Sequence, residues 1–259
     1  MTLEVQHLAF FYEKERHVLD DVDFKIGKGE FVSLLGPNGV GKSTLFKCIL
    51  GIQRQYTGRI CIDGQDVREL TERELAQRVA YIPQFNNPTF NYSVLDMVMM
   101  GRASQMHAFA VPGKEVRKKA EGALERMGIL DLKDRGFSYL SGGERQLVLM
   151  ARAMMQDAKI WIMDEPTASL DYGNQLRVLN QMREMARNGY TIIQSTHNPD
   201  QSFLFSNRIL AMKDGRLVAD GTPQEAITAG LIELLYHVKV EIMPLNKGES
   251  YTCVPLSIG

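Results

Sequence analysis

The stretch Gly36-Pro37-Asn38-Gly39-Val40-Gly41-Lys42-Ser43-Thr44 has the residue types and spacing of a phosphate cradle. Its glycines let the backbone turn tightly, so that successive N–H groups converge on an anion. Lys42 reaches the outer phosphates as a point charge, and the Ser43 hydroxyl is a ligand for Mg²⁺. An acidic pair stands at Asp164-Glu165, closing the apolar run Ile160-Trp161-Ile162-Met163. Neighbouring residues of a strand point to opposite sides. That alternation places Asp164 to hold Mg²⁺, directly or through water, and turns Glu165 toward an attacking water.

Other candidates carry an ordinary reading beside the chemical one. Ser141 and Glu144 in Leu140-Ser141-Gly142-Gly143-Glu144 form a capping box, a common structural device. The two glycines inside it leave a helix start bare, where a second anion finds N–H donors. His197 ends the apolar run Tyr190 to Ser195. A lone histidine is usually a satisfied surface or core residue, but α/β sheets place their ligands beyond strand ends. Tyr12 is either a core or edge aromatic or a platform for a nucleotide base. Gln84 follows Pro83, which ends a strand ladder.

These residues need elements to hold them. An apolar run, Phe31 to Leu35, enters the glycine loop as a buried strand, and a helix over 43–50 leaves it, stopped by Gly51. Residues 3–12 and 22–26 alternate, and 59–62 is a short strand, so an antiparallel β layer is expected beside the loop. Thr71 with Glu74 caps a helix to Gln77, and a strand covers 78–82. The β signal is then lost, and helices are expected over 93–102, 114–127 and 141–156. Further elements are a helix over 173–188, a hairpin of 208–212 with 217–219 around Asp214-Gly215, and one helix over 223–235. Residues 241–259 carry little signal. The expected organisation is a single α/β domain: a core with its β layer from 1–84 and 157–240, an inserted helical lobe at 85–156, and a C-terminal tail.

Composition narrows the classes. The chain has 259 residues, 44% of them hydrophobic, which is enough for a sizeable core. A net charge of -1 gives no field to gather nucleic acid. No apolar run approaches the roughly 18 residues of a membrane span, and Met1-Thr2-Leu3-Glu4 does not read as a signal peptide. Three widely spaced cysteines, Cys48, Cys61 and Cys253, point to a reducing cytosol rather than a disulfide framework.

Taken in chain order, these motifs resemble the nucleotide-binding ATPase subunits of ATP-binding cassette (ABC) transporters over residues 3–240. The resemblance implies a P-loop ATPase core and assigns roles. Gly36 to Thr44 corresponds to the Walker A loop, and Tyr12 falls at the adenine-stacking position. Gln84 matches the Q-loop glutamine, which senses Mg²⁺ and contacts the transporter. Ser141, Gly142, Gly143 and Glu144 match the signature, Asp164 the Walker B aspartate and Glu165 the catalytic glutamate. Ala168 to Asp171 matches the D-loop and His197 the switch histidine. Catalysis would then draw on Glu165, His197, Lys42 and Gln84. ATP would be bound by Tyr12, the Walker A residues, the signature and Asp171. Mg²⁺ would be held by Ser43, Gln84 and Asp164. Asn198 departs from the aspartate that often follows the switch histidine.

The runs Met100-Gly101-Arg102, Gly143 to Leu149 and Leu170 to Gln175 resemble the ATPases of metal-chelate importers, which take up ferric siderophores, haem, cobalamin or molybdate. That implies a homodimer, docked on two copies of a polytopic permease at the cytoplasmic face of the membrane. A periplasmic or surface binding protein would deliver the solute, and no nucleic acid would be involved. An export ATPase and a soluble nucleotide switch are the alternatives. The missing heptad insertion between Thr44 and Leu140 argues against the DNA-repair type of switch. The permease contact is expected among Phe85, Phe90, Tyr92, Met97, Met99, Met100, Met106 and Phe109, about a third of them at an interface.

Overall fold

Alternation shapes each half of the first strand, β1 (Leu3–Phe11), which buries Leu3 and Val5 and then, past an irregularity at His7 (φ +47°) that breaks the expected alternation, Leu8 and Phe10. It pairs antiparallel with β2 (His17–Ile26). A turn at Gly27 to Gly29 leads into β3 (Phe31–Leu35), buried at every position. The glycine loop follows, then α1 (Lys42–Ile49), after which Gly51 takes φ +65°. β4 (Thr57–Ile62) returns to the other side of β1, and β5 (Gln65–Asp66) completes an antiparallel sheet of order β2-β1-β4-β5. The structure, a computed structural model, describes residues 2–12, 17–84, 91–105 and 113–256. The chain forms two compact units, residues 1–69 with 185–259 and residues 70–184.

The second unit opens with α2 (Glu72–Ala76), where Thr71 and Glu74 form the expected capping box. β6 (Val79–Ile82) leads to Pro83. Three helices build most of the lobe: α3 (Val94–Met99), α4 (Lys114–Arg126) and α5 (Gly142–Met155), which pack on one another. β7 (Ile160–Met163) then runs parallel to β6, with Val79 opposite Ile160. Trp161 is fully buried there, and its indole N–H donates to the Ala158 carbonyl at 3.1 Å. Burying a side chain of that size contributes about 2–3 kcal/mol. α6 (Tyr172–Arg187) follows. The described residues of 85–156, the expected helical lobe, lie within this unit, which also takes in β6 and β7.

Back in the first unit, β8 (Thr191–Thr196) is parallel to β3 on one side. α7 (Pro199–Phe205) connects it to β9 (Arg208–Lys213), parallel to β3 on the other. β10 (Arg216–Gly221) makes the expected hairpin with β9. A strand flanked on both sides by parallel partners reads as a near-continuous apolar run, and β3 does, with Ser33 the one polar residue in it.

Two expectations are corrected here. The single helix over 223–235 is two: α8 (Pro223–Ala226) and α9 (Ala229–Tyr236). Ile227 leaves the helical region at ψ 92°, and Thr228, extended, caps the second helix by accepting from the Leu231 N–H at 3.1 Å. A threonine that caps in this way competes with helix continuation. The weak-signal tail forms a hairpin, β11 (Val240–Leu245) with β12 (Ser250–Pro255), turning through Lys247 and Gly248 at positive φ.

Candidate active site

In the first unit the glycine loop sits where β3 ends. Gly41 caps α1 at φ +109°, a left-handed conformation, and a Cβ on it would stand 2.6 Å from the Val18 carbonyl. Gly36 is packed as tightly, 2.4 Å from the Met212 carbonyl by the same measure. No side chain caps α1 and its first turn has no acid. Its N–H donors and partial positive charge therefore face the loop. Lys42 is buried, and its ammonium donates to the carbonyls of Gly36 at 2.5 Å and Pro37 at 2.9 Å. The cation is thus held within the curve of its own loop, while Ser43 is exposed.

His197 and Tyr12 belong to the same unit. The Gly36 N–H donates to the Thr196 carbonyl at 3.2 Å, so the loop and the histidine leave adjacent strand ends together. His197 is exposed. Asn198 does what an aspartate there would do: its side chain accepts from the Gln201 N–H at 3.1 Å and caps α7. Tyr12 is 55% exposed and stands edge-on to Phe10, with ring centroids 4.8 Å apart, so the core reading fails, and an edge aromatic or a platform remains. It continues β1 beyond Phe11, which pairs with His17 next to Val18.

In the second unit Gln84 and Asp164 leave adjacent parallel strands, and the Asp164 N–H donates to the Ile82 carbonyl at 3.2 Å. Burial, with Asp164 nearby, raises the Tyr81 phenol above its ordinary range. Glu165 departs from the expected alternation. β7 ends at Met163, and Glu165 takes φ +43°. Left-handed backbone, not the strand pleat, sets its direction. The Gln84 amide and Asp164 carboxylate offer oxygen, as does the Ser43 hydroxyl in the first unit, and oxygen is the donor that a small hard cation such as Mg²⁺ prefers.

The signature turn is less bare than its glycines imply. Ser141 Oγ accepts from the Glu144 N–H at 3.3 Å, and Glu144 accepts from the Ser141 N–H at 2.7 Å. The Ser141 N–H, then its hydroxyl, hold the Glu144 carboxyl below its usual range. The glycines serve packing inside the unit. A Cβ on Gly142 would stand 2.9 Å from Leu170, and one on Gly143 2.6 Å from Asn174. The capping box leaves the N–H groups of Gly142 and Gly143 out of its bonds.

Asn174 and Gln175 were not singled out as site residues, yet they fasten the D-loop. Asp171 accepts from the Asn174 N–H at 2.9 Å and from its side-chain amide at 2.7 Å. Those bonds, backbone first, hold the Asp171 carboxyl below its usual range. Gln175 donates to the carbonyls of Leu170 at 2.9 Å and Thr167 at 3.3 Å. The signal was an aspartate three residues before an asparagine at a helix start. Met100-Gly101-Arg102 also has a local reason. A Cβ on Gly101 would collide with the Arg152 carbonyl, and Arg102 pairs with Asp157 beyond the end of α5. Of the expected permease contacts, Met97 is core, Met99 half-buried, and Tyr92 and Met100 exposed. Phe85, Phe90, Met106 and Phe109 lie outside the described residues.

The chain is similar to known proteins over most of its length. Residues 19–168 match the family model described as ABC transporter. A Helicobacter pylori protein assigned as an iron chelatin transport ATP-binding protein is 36% identical, over 93% of this chain and 95% of its own. A molybdate import ATP-binding protein of Haemophilus influenzae is 35% identical, over 96% and 93%. A solved transporter described as of metal-chelate type, in an inward-facing conformation, superposes with a TM-score of 0.85 at 32% identity, over 99% of this chain and 98% of that one. The chain therefore belongs to the ABC transporter family, as one of its ATP-hydrolysing subunits.

Proposed function

We propose that this subunit powers uptake of a metal chelate or a related small solute, such as a ferric siderophore, haem, cobalamin or molybdate. The names of its relatives support that cargo class. No described helix is long and apolar enough to cross a membrane. The subunit would act at the cytoplasmic face, docked on two copies of a permease and supplied by a periplasmic or surface binding protein.

The observation that carries the ATP site is the uncapped start of α1 with the Lys42 ammonium inside the loop before it. The loop N–H groups and Lys42 hold the β- and γ-phosphates, and Tyr12 stacks on the base. Ser43, Gln84 and Asp164 hold Mg²⁺, which when bound neutralises phosphate charge. Glu165 orients the attacking water and takes its proton, and His197 contacts the γ-phosphate side. Ser141, Gly142, Gly143, Glu144 and Asp171 complete the site of a second copy, so that two ATP molecules join a head-to-tail homodimer.

Glu165→Gln tests the catalytic assignment. ATP binding is retained and turnover nearly lost, a barrier increase of about 3–5 kcal/mol. Phosphate release at the wild-type rate would overturn it. Purification from detergent-solubilised membranes tests the rest: a polytopic partner is recovered, and the reconstituted pair moves a chelate inward with ATP. Recovery without any membrane protein would favour the soluble switch, and outward movement the exporter.

A further inference from the structure

No motif of the reaction lies in the hairpin β11–β12, yet it is fastened to the helix that begins beside His197. Asp200 stands in the first turn of α7. One of its oxygens accepts from the Cys253 N–H at 2.8 Å and from Thr252 Oγ1 at 3.2 Å, both on β12. One turn further along α7, Phe203 meets Tyr251 with ring centroids 5.6 Å apart. Residues three apart share a helix face, so β12 grips one side of α7 at two successive points. Phe203 also belongs to a buried cluster with Val240 and with Leu35, the last residue of β3 before the glycine loop.

The same turn is tied from within. The Asn198 N–H donates to Thr196 Oγ1 at 3.0 Å, and Ser202 Oγ donates to the Asn198 carbonyl at 3.1 Å. α7 has only seven residues, too few to be stable alone, so what it packs on sets its direction. His197 lies between the end of β8 and the start of α7, and its position follows from both.

We propose that the C-terminal hairpin is a positioning element for His197, acting through Asp200. The inference rests on the reading of His197 given above. Without the Asp200 carboxylate, α7 keeps its apolar contact at Phe203 but loses the anchor nearest the histidine. A shift near 1 Å at a reacting group is enough to cost up to about 100-fold in rate.

The test measures ATP turnover against ATP concentration in the full-length chain, with thermal melting alongside. Asp200→Ala lowers kcat about tenfold and leaves KM unchanged. Asp200→Asn keeps an oxygen acceptor and retains most of the rate. Thr252→Val, a change of the same shape, gives a smaller kcat loss with the same unchanged KM. Added to His197→Ala, Asp200→Ala causes no further loss of the residual rate. Wild-type kcat in Asp200→Ala overturns the proposal, as does an equal loss with and without His197, or a lower melting temperature with no kcat effect. Wild-type turnover in His197→Ala alone would instead remove the reading of the histidine.

Discussion

Gly143 lies against Asn174, so closely that a Cβ on the glycine would stand 2.6 Å from the asparagine's amide carbon and oxygen. The first turn of α5 and the start of α6 interlock there with no room for a methyl group. Gly143→Ala should destabilise the protein by about 1–3 kcal/mol through overpacking. Asn174→Ala opens the space but releases Asp171. The double variant should therefore lose less than the two single changes added together, with a coupling of about 1 kcal/mol. Denaturation of all four proteins measures this, and strict additivity would show that the contact is loose.

Glu165 holds φ +43°. A left-handed residue with a Cβ costs about 1–2 kcal/mol, part of which glycine returns as backbone entropy. Glu165→Gly should therefore melt higher than wild type by an amount equivalent to about 0.5–1 kcal/mol, while losing turnover. Glu165→Gln should lose turnover without that gain. Equal melting temperatures for the two variants would show that the backbone there is relaxed.

Acid should weaken the signature cap in a defined direction. Glu144 is held below its ordinary value of 4.5 in the folded chain. A lowered folded pKa contributes stability above the unfolded value and loses it as pH falls through the folded one. Glu144→Gln does not titrate. It should melt below wild type at pH 7, and the gap should narrow as pH falls below 4.5. A gap constant with pH would mean that the carboxylate charge contributes nothing.

The head-to-tail arrangement has a complementation test. With Glu165→Gln in every chain, one set carries Lys42→Ala and the other Ser141→Arg. Neither set alone should dimerise with Mg·ATP, since each damages both of its sites. A mixed pair keeps one site with intact Lys42 and intact Ser141, and should associate, more weakly than a dimer with two sites. Size-exclusion chromatography reads the result. No recovery on mixing would mean that each chain builds its site from its own residues.

Local chemistry was legible in the sequence wherever it was also local in space. The capping boxes at Thr71 and Ser141 and the glycine stop at Gly51 form as their residue types require. The twist of Glu165 was hidden because alternation describes strands, and the strand stops two residues earlier. Gly142 and Gly143 suggested room for an anion, and their close neighbours, Leu170 and Asn174, come from more than twenty residues along the chain. The tail hairpin was missed because Pro244 interrupts its first strand. Thr228 reads as an ordinary helix residue until it is seen capping Leu231.

β3 is buried at every position, and Ser33 within it pairs with Gln194, 161 residues later. A ribosome adding about 5–20 residues per second needs some 8–30 s to make that interval. For all of that time the nascent chain displays an apolar strand with neither parallel neighbour yet made, since β9 comes later still. Residues 70–184 are synthesised as one uninterrupted piece during the wait. The order of synthesis thus leaves the phosphate loop anchored late, and makes Phe31 to Leu35 a segment that a chaperone binding apolar strands would hold.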